Sequence, residues 1–137
     1  MYVSTRLEYA VRALAGLCPP PDRGPQSAPQ LAEVQDLPLG YLRGILLDLH
    51  RGGLVIHVRG PQGGYHLARP PTEISIADIV TALHILTVEV HITRPDNDIT
   101  HRLATIWPKV DEATQQVLAS VTLAELANGS ADVAEPV

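Results

Sequence analysis

The stretch LVIHVRGPQGGYHLA, residues 54–68, decides the fold of this chain. It begins with β-branched residues, continues through a segment rich in glycine, and resumes an extended pattern at Tyr65. Apolar and β-branched runs on either side of such a segment favour two strands joined by a turn. We therefore predict one β-hairpin closed at residues 59 and 64, which would place His57 opposite His66 with Cβ atoms about 5 Å apart.

Short helices are predicted before the hairpin. Apolar residues at spacings of three and four predict a first helix over residues 4–17, with Ser4 as its cap. Ser27 and Gln30 form a capping box that opens a second helix, and a tight turn follows at residues 36–38. The next apolar stripe predicts a third helix over residues 39–51 that ends at two glycines. Two short helices around a brief turn favour a helix-turn-helix.

Beyond the hairpin the chain is again mainly helical. Ser75 begins one helix, and residues 85–98 show no clear period. From Ile99 the apolar positions keep helical spacing for about six turns, which is more than the neighbouring segments need and favours a partner. Pro108 lies inside this run and should kink or split it. Thr122 opens a last short helix with a capping box.

Length and composition indicate one ordinary globular unit. The chain has 137 residues, of which 45% are apolar and 18% charged, so most of it should fold. We expect residues 1–72 to form one functional unit, 73–128 a second and 129–137 a frayed tail. No apolar run approaches the roughly 18 to 20 residues that span a bilayer, and the start is unlike a signal peptide. We therefore expect a soluble, cytoplasmic protein without a membrane partner.

The charge is divided unevenly along the chain. Up to Thr72 there are seven arginines against five acids, a net charge of +2, whereas the remainder has three basic residues against ten acids, a net of −7. A mildly basic front half fits a small surface that contacts an anion, carried on an acidic body.

A helix-turn-helix followed by a hairpin is a winged helix, whose third helix can enter the major groove of DNA while the wing reaches the adjacent minor groove. The fold class is therefore mainly α with a small β-hairpin wing. Arg43 is the candidate for reading guanine, because its fork matches the two acceptors of that base. Arg59 suits a narrow groove, and glycines let backbone amides approach phosphates. The candidate DNA-binding residues are Ser4, Ser27, Leu39, Gly40, Tyr41, Arg43, Arg51, Arg59, Gly60, Gln62, Gly63, Gly64 and Tyr65.

Three segments resemble one known family. The run GLVIHVRGPQGGYHLARPP at residues 53–71, with LEYAVRAL at 7–14 and TLAEL at 122–126, is similar to the Rrf-type family of bacterial winged-helix regulators. Its members include an iron–sulfur cluster regulator and a nitric oxide-sensing repressor. The resemblance covers about residues 1–128 and implies a homodimer in which the long helix crosses its partner, bound to a near-palindromic operator on double-stranded DNA. The apolar side chains assigned to the dimer are Leu103, Ile106, Trp107, Val110, Val117, Leu118 and Val121.

The chain departs from the family at the sensing loop. Sensing members have three cysteines there, whereas this chain has a single cysteine, Cys18, so we expect no iron–sulfur cluster and no internal disulfide. A divalent metal on Glu8, Glu89, His91 and His101 is an alternative, since these residues offer oxygen and nitrogen ligands. Solvated histidines are the commoner explanation there. For His57 and His66, which could also form a metal-binding pair, the commoner explanation is polar residues on the phosphate side of the wing.

The leading interpretation is a DNA-binding transcriptional regulator, a repressor without a cofactor. A regulator that senses a metal or small molecule through residues 85–101 is a second possibility. A winged-helix module that binds a protein instead of DNA is a third, favoured by the acidic net charge and by Gly40 and Gly44 where larger side chains would read bases. An enzyme is disfavoured, because the chain has neither a nucleophile elbow nor a metal-hydrolase motif.

Overall fold

The computed structural model describes residues 4–18, 24–85 and 96–129. Seven α-helices, one two-stranded sheet and a short 3-10 turn form in these ranges. In chain order they are α1 (Thr5–Gly16), α2 (Ala28–Gln35), α3 (Leu39–Arg51), β1 (Val55–Val58), β2 (Gly64–Leu67), the 3-10 turn (Pro71–Glu73), α4 (Ile76–Ala82), α5 (Asp98–Ala104), α6 (Trp107–Ser120) and α7 (Leu123–Ala127).

One hydrophobic core holds the front helices together. Helices α1, α2 and α3 pack on one another, and the apolar stripe predicted for α3 is its buried face. Ile79 of α4 and Leu123 of α7 are fully buried in the same core. The core therefore draws on residues from both sides of Thr72.

Capping side chains place several helix ends where the sequence predicts them. Ser27 and Gln30 make reciprocal hydrogen bonds at the start of α2, Ser75 and Asp78 do so at α4, and Thr122 with Glu125 at α7. Each pair satisfies amide groups that the first turn of a helix leaves without partners. Ser4 differs, since it stands at the N-cap of α1 but its side chain makes no capping hydrogen bond.

The hairpin forms as predicted, but its register was predicted wrongly by one residue. The strands pair Val58 with Gly64 and His57 with Tyr65, so His66 lies opposite Ile56 instead of His57. The connection contains five residues, 59–63, whereas closure at residues 59 and 64 would leave four, 60–63. Because side chains alternate across a strand, a shift of one residue moves the two histidines to opposite faces. They cannot form the pair considered from the sequence.

The long helix predicted after residue 99 is two helices. The break lies at Thr105 and Ile106, and Pro108 occupies the first turn of α6, where a proline is tolerated. The apolar residues of this region are then divided. Leu118 and Val121 are partly buried against the chain's own core, so packing within the chain accounts for part of their apolar surface. Those that stay exposed are Ile99, Leu103, Ile106, Trp107, Val110 and Val117.

Candidate nucleic-acid interface

A groove of about 440 Å³ lies between the start of α2, the exposed side of α3 and the wing. Arg43 lines it from α3 and Arg59 from the wing, and the capping residue Ser27 lines it from α2. No acidic side chain occurs among the described residues that line the groove. The arrangement is therefore a positive surface beside a helix N-terminus, which suits a phosphate backbone.

His57 also lines this groove. The sequence analysis expects it to be a polar residue on the phosphate side of the wing but does not name it among the candidate DNA-binding residues. Its ring packs on the ring of Tyr65 across the hairpin, with centroids 4.7 Å apart and planes inclined by 31°. The predicted register had hidden this pair, because it placed Tyr65 opposite Val58. The pairing puts an imidazole on the same side of the wing as Arg43 and Arg59.

The wing is anchored to the body by the segment before α2. Gln26 and Tyr65 exchange two backbone hydrogen bonds, of 3.0 and 2.7 Å, and the Gln26 side chain donates to the carbonyl of Gly16. At Gly64, whose φ is +153°, an added Cβ would stand 2.4 Å from the backbone of Gln26. An added Cβ at Gly63 would meet the Val58 carbonyl oxygen at 2.0 Å. These two glycines therefore allow close backbone packing within the chain, a role that sequence reasoning had not given them.

Tyr41 is held at the start of α3 by an aromatic contact. Its half-exposed ring meets Tyr9 of α1 edge to face, with centroids 5.5 Å apart. The guanidinium of Arg12 lies over the Tyr9 ring at 5.8 Å and donates to the backbone carbonyl of Gln35, the last residue of α2. These contacts tie α1 to both helices of the helix-turn-helix.

Asp48, the acidic residue of α3, is held away from the outward face of that helix. Asp48 forms an ion pair with Arg6 of α1, in which both side chains are partly buried. Arg43 consequently has no acidic neighbour on its own helix within the exposed face. Nothing in the local sequence pattern indicates this pair, because Arg6 and Asp48 are distant in the chain.

Not every predicted contact residue lies at the groove. Arg51, at the far end of α3, lines a separate cavity of about 300 Å³ with Arg69, Asp78 and His84. Gln62 lines a third cavity at the tip of the wing. Leu39 and Gly40 form the exposed first turn of α3, outside the residues that line the groove, and Ser4 lies at the start of α1.

The residues of this chain do not fit an iron–sulfur cluster. Cys18 is the one cysteine, and its thiol donates to the backbone carbonyl of Leu14. Burial raises the pKa of the Cys18 thiol, which disfavours the thiolate that binds metals. Of the alternative metal ligands, Glu89 and His91 lie outside the described residues. Residues 4–18, 24–85 and 96–129 contain no group of three or more His, Cys, Asp or Glu side chains that could hold a metal ion.

A helix-turn-helix followed by a wing, with arginines from both on one groove, defines a winged-helix DNA-binding protein. Comparison with known proteins gives the family. Residues 3–129 match the family described as Rrf2, iron-dependent transcriptional regulator, and the chain belongs to that family.

Relatives agree in sequence and in structure. The HTH-type transcriptional regulator IscR of Serratia proteamaculans is 32% identical over 137 residues, covering 93% of this chain and 80% of that protein. The solved structure of T. potens IscR has a TM-score of 0.73 at 34% identity and covers 100% of this chain and 93% of that one. CymR, the global cysteine regulator of B. subtilis, has a TM-score of 0.75 at 29% identity, with coverages of 94% and 98%.

The predicted class of protein is thereby confirmed. The chain is a DNA-binding transcriptional regulator, and the family and its named relatives are regulators and not enzymes. Within the described ranges, no helix is both long and apolar enough to cross a membrane.

Proposed function

We propose that this regulator binds a near-palindromic operator as a homodimer, with α3 in the major groove and the wing in the neighbouring minor groove. The observation that carries the proposal is the groove that brings together Arg43, Arg59 and the capped start of α2. Two different elements supply the two arginines, so one duplex can meet both only if it lies along this face. The acidic net charge resides mainly on the rear half and does not oppose that contact.

Each side chain has a role that follows from its place. Arg43 reads guanine, whose two major-groove acceptors match the guanidinium fork, and Arg59 inserts into the narrow minor groove. Ser27 marks a helix N-terminus that binds phosphate, and Tyr41 is fixed by Tyr9 where a phosphate contact would fall. His57 adds a hydrogen-bonding ring beside Arg59 in the same groove.

Self-association is supported by apolar side chains on α5 and α6. Ile99 is 71% exposed and Val117 is 65% exposed, and neither helix has a buried residue. Several large apolar side chains exposed on two successive helices favour an interaction site. A second copy of the chain is the occupant that also gives two recognition helices, as a palindromic operator requires. Residues 1–72 then contact DNA and residues 73–128 form the dimer.

We infer that the protein acts as a repressor in the cytoplasm and without an iron–sulfur cluster. A dimer seated over a promoter excludes the polymerase, and no cofactor is needed for that effect. The single cysteine supports the absence of a cluster, because one chain cannot then provide several thiolates.

The proposal is tested by fluorescence anisotropy on duplex DNA from immediately upstream of the protein's own gene. Wild type is expected to bind this DNA more tightly than unrelated DNA, with affinity that falls steeply as salt rises. Arg43→Ala should weaken binding by about 5- to 150-fold and reduce the preference over unrelated DNA, whereas Arg59→Ala should also lower the salt dependence.

Lys109→Ala is the matched control, because it removes a positive charge from α6, away from the groove. It is expected to leave affinity unchanged. Equal weakening by Lys109→Ala and Arg43→Ala would show that total charge, and not the groove, governs binding.

A further inference from the structure

Leu47 is a large apolar residue on the outward side of α3. Its side chain is 45% exposed, although its neighbour Leu46 and nearby Ile45 are fully buried. Leu47 follows Arg43 by four residues, so the two side chains lie one turn apart on the same face of the helix. The face that carries the candidate guanine contact therefore also carries an apolar one.

The same face of α3 also contains two glycines, Gly40 and Gly44, which present no side chain. At Gly40 and Gly44, apart from the adjacent residues and the nearby backbone of α3 itself, no described atom lies within 4 Å of the position that a Cβ would take, so no other element packs against them. Glycine is a poor helix former, and its value on an exposed helix face is to let another surface approach the backbone closely. Asp48, the acid of the helix, is paired with Arg6 and does not repel a polyanion from this face.

The apolar side chain of Leu47 on the outward face of α3 indicates which group of a DNA base this face contacts. In the major groove the thymine C5-methyl is the apolar group that base edges present, and apolar side chains contact it. We propose that Leu47 is a specificity-determining residue that reads a thymine methyl group in the operator. The inference rests on the proposed function, in which α3 enters the major groove, and it adds the base that the helix selects beside guanine.

The helix geometry limits where this thymine lies. Four residues of an α-helix rise about 6 Å, and successive base pairs are about 3.4 Å apart. The thymine read by Leu47 should therefore lie within about two base pairs of the guanine read by Arg43. Gly44 stands between the two side chains along the helix and leaves room for both to reach base edges.

The test uses duplexes that the full-length wild-type protein enriches from a randomised pool. Each thymine is replaced in turn by deoxyuridine, which lacks only the methyl group, and affinities are measured by anisotropy. In each half-site, replacing one particular thymine should lower the affinity of the wild-type protein about fourfold. This factor corresponds to the free energy of burying one methyl group. For Leu47→Ala the same replacement should cost nothing.

Val34→Ala is the matched control, since it removes apolar surface from a 66% exposed position on α2 and should retain the fourfold preference for thymine. Leu47→Asn, which nearly keeps the size and branched shape of the side chain but makes its end polar, should lose the preference as Leu47→Ala does. Circular dichroism verifies that each variant is folded.

The outcomes separate the two proposals. If wild type enriches duplexes but Leu47→Ala retains the preference for thymine over deoxyuridine, the role of Leu47 is wrong while the proposed function stands. The role of Leu47 is equally wrong if no thymine methyl affects wild-type binding. If no duplex is enriched, α3 does not read a DNA sequence and both proposals fail.

Discussion

The front of the molecule and the α5–α6 region use their apolar residues in opposite ways. In α3 the apolar stripe is buried in the chain's own core, whereas α6 has no buried residue along its 14 residues. Both helices have an amphipathic sequence pattern, so the pattern alone does not distinguish a core face from an interface. The difference is that α3 buries its apolar face within the chain, whereas α5 and α6 leave most of their apolar side chains exposed, as interaction surfaces do.

The largest expected effect is on the core. Leu14→Ala removes a fully buried side chain from α1 and should lower the free energy of unfolding by about 2–5 kcal/mol, because lost burial and a cavity act together. Val34→Ala, at an exposed position, should change it by less than about 0.5 kcal/mol. Urea unfolding measures both, and similar values for the two variants would contradict the assigned core.

The next effect concerns the exposed face of α6. Val117→Glu places a charge on a 65% exposed apolar position and should weaken self-association by at least about 30-fold, the threshold of an interface hot spot. Folding of the single chain should be unaffected, since glutamate is a good helix former. Sedimentation velocity over a range of protein concentrations measures the change.

Gln116→Glu is the adjacent control for this face, because it adds the same charge to a neighbouring exposed residue that points in another direction. It should leave self-association intact. A wild-type chain that sediments as a monomer at every concentration would refute the dimer and leave the apolar face for a different partner.

The smallest expected effect is the loss of stability when a helix N-cap is removed, and it should differ between two helices. Ser75→Ala removes the cap of α4, which packs in the core, and should cost about 1 kcal/mol of global stability. Asn97→Ala removes the cap of α5, a helix with no buried residue, and should lower the free energy of unfolding by less than about 0.5 kcal/mol. Urea unfolding measures this change in the Val117→Glu background, so that self-association does not contribute. A larger cost at Asn97 would mean that α5 unfolds together with the hydrophobic core.

Local sequence signals were sufficient for most element boundaries. The capping boxes at Ser27, Ser75 and Thr122 satisfy helix amides within four residues, so they operate wherever the helix packs. The same holds for the end of α3 at Arg51, which the two following glycines mark. Pro108 was correctly identified as a disturbance, although only the structure shows that it divides the run into two helices.

The candidate site was less predictable, because its geometry depends on contacts between distant residues. The hairpin was foreseen, but the number of residues in its turn decides the register, and the register decides that His57 meets Tyr65. The sequence predicts Arg43, Arg51 and Arg59 as DNA-binding residues, but only Arg43 and Arg59 line the groove, whereas Arg51 lines another cavity.

By itself, the sequence determined the helix-turn-helix, the existence of the wing and the family, because these depend on short-range periodicity, capping and a distinctive run of residues. Only the tertiary structure decided that Gln26 anchors the wing, that Arg6 holds Asp48 away from the outward face of α3, and that Leu118 faces inward while Val117 faces outward. These outcomes require knowledge of which surfaces meet. Packing between elements sets them, and no pattern within a single element contains that information.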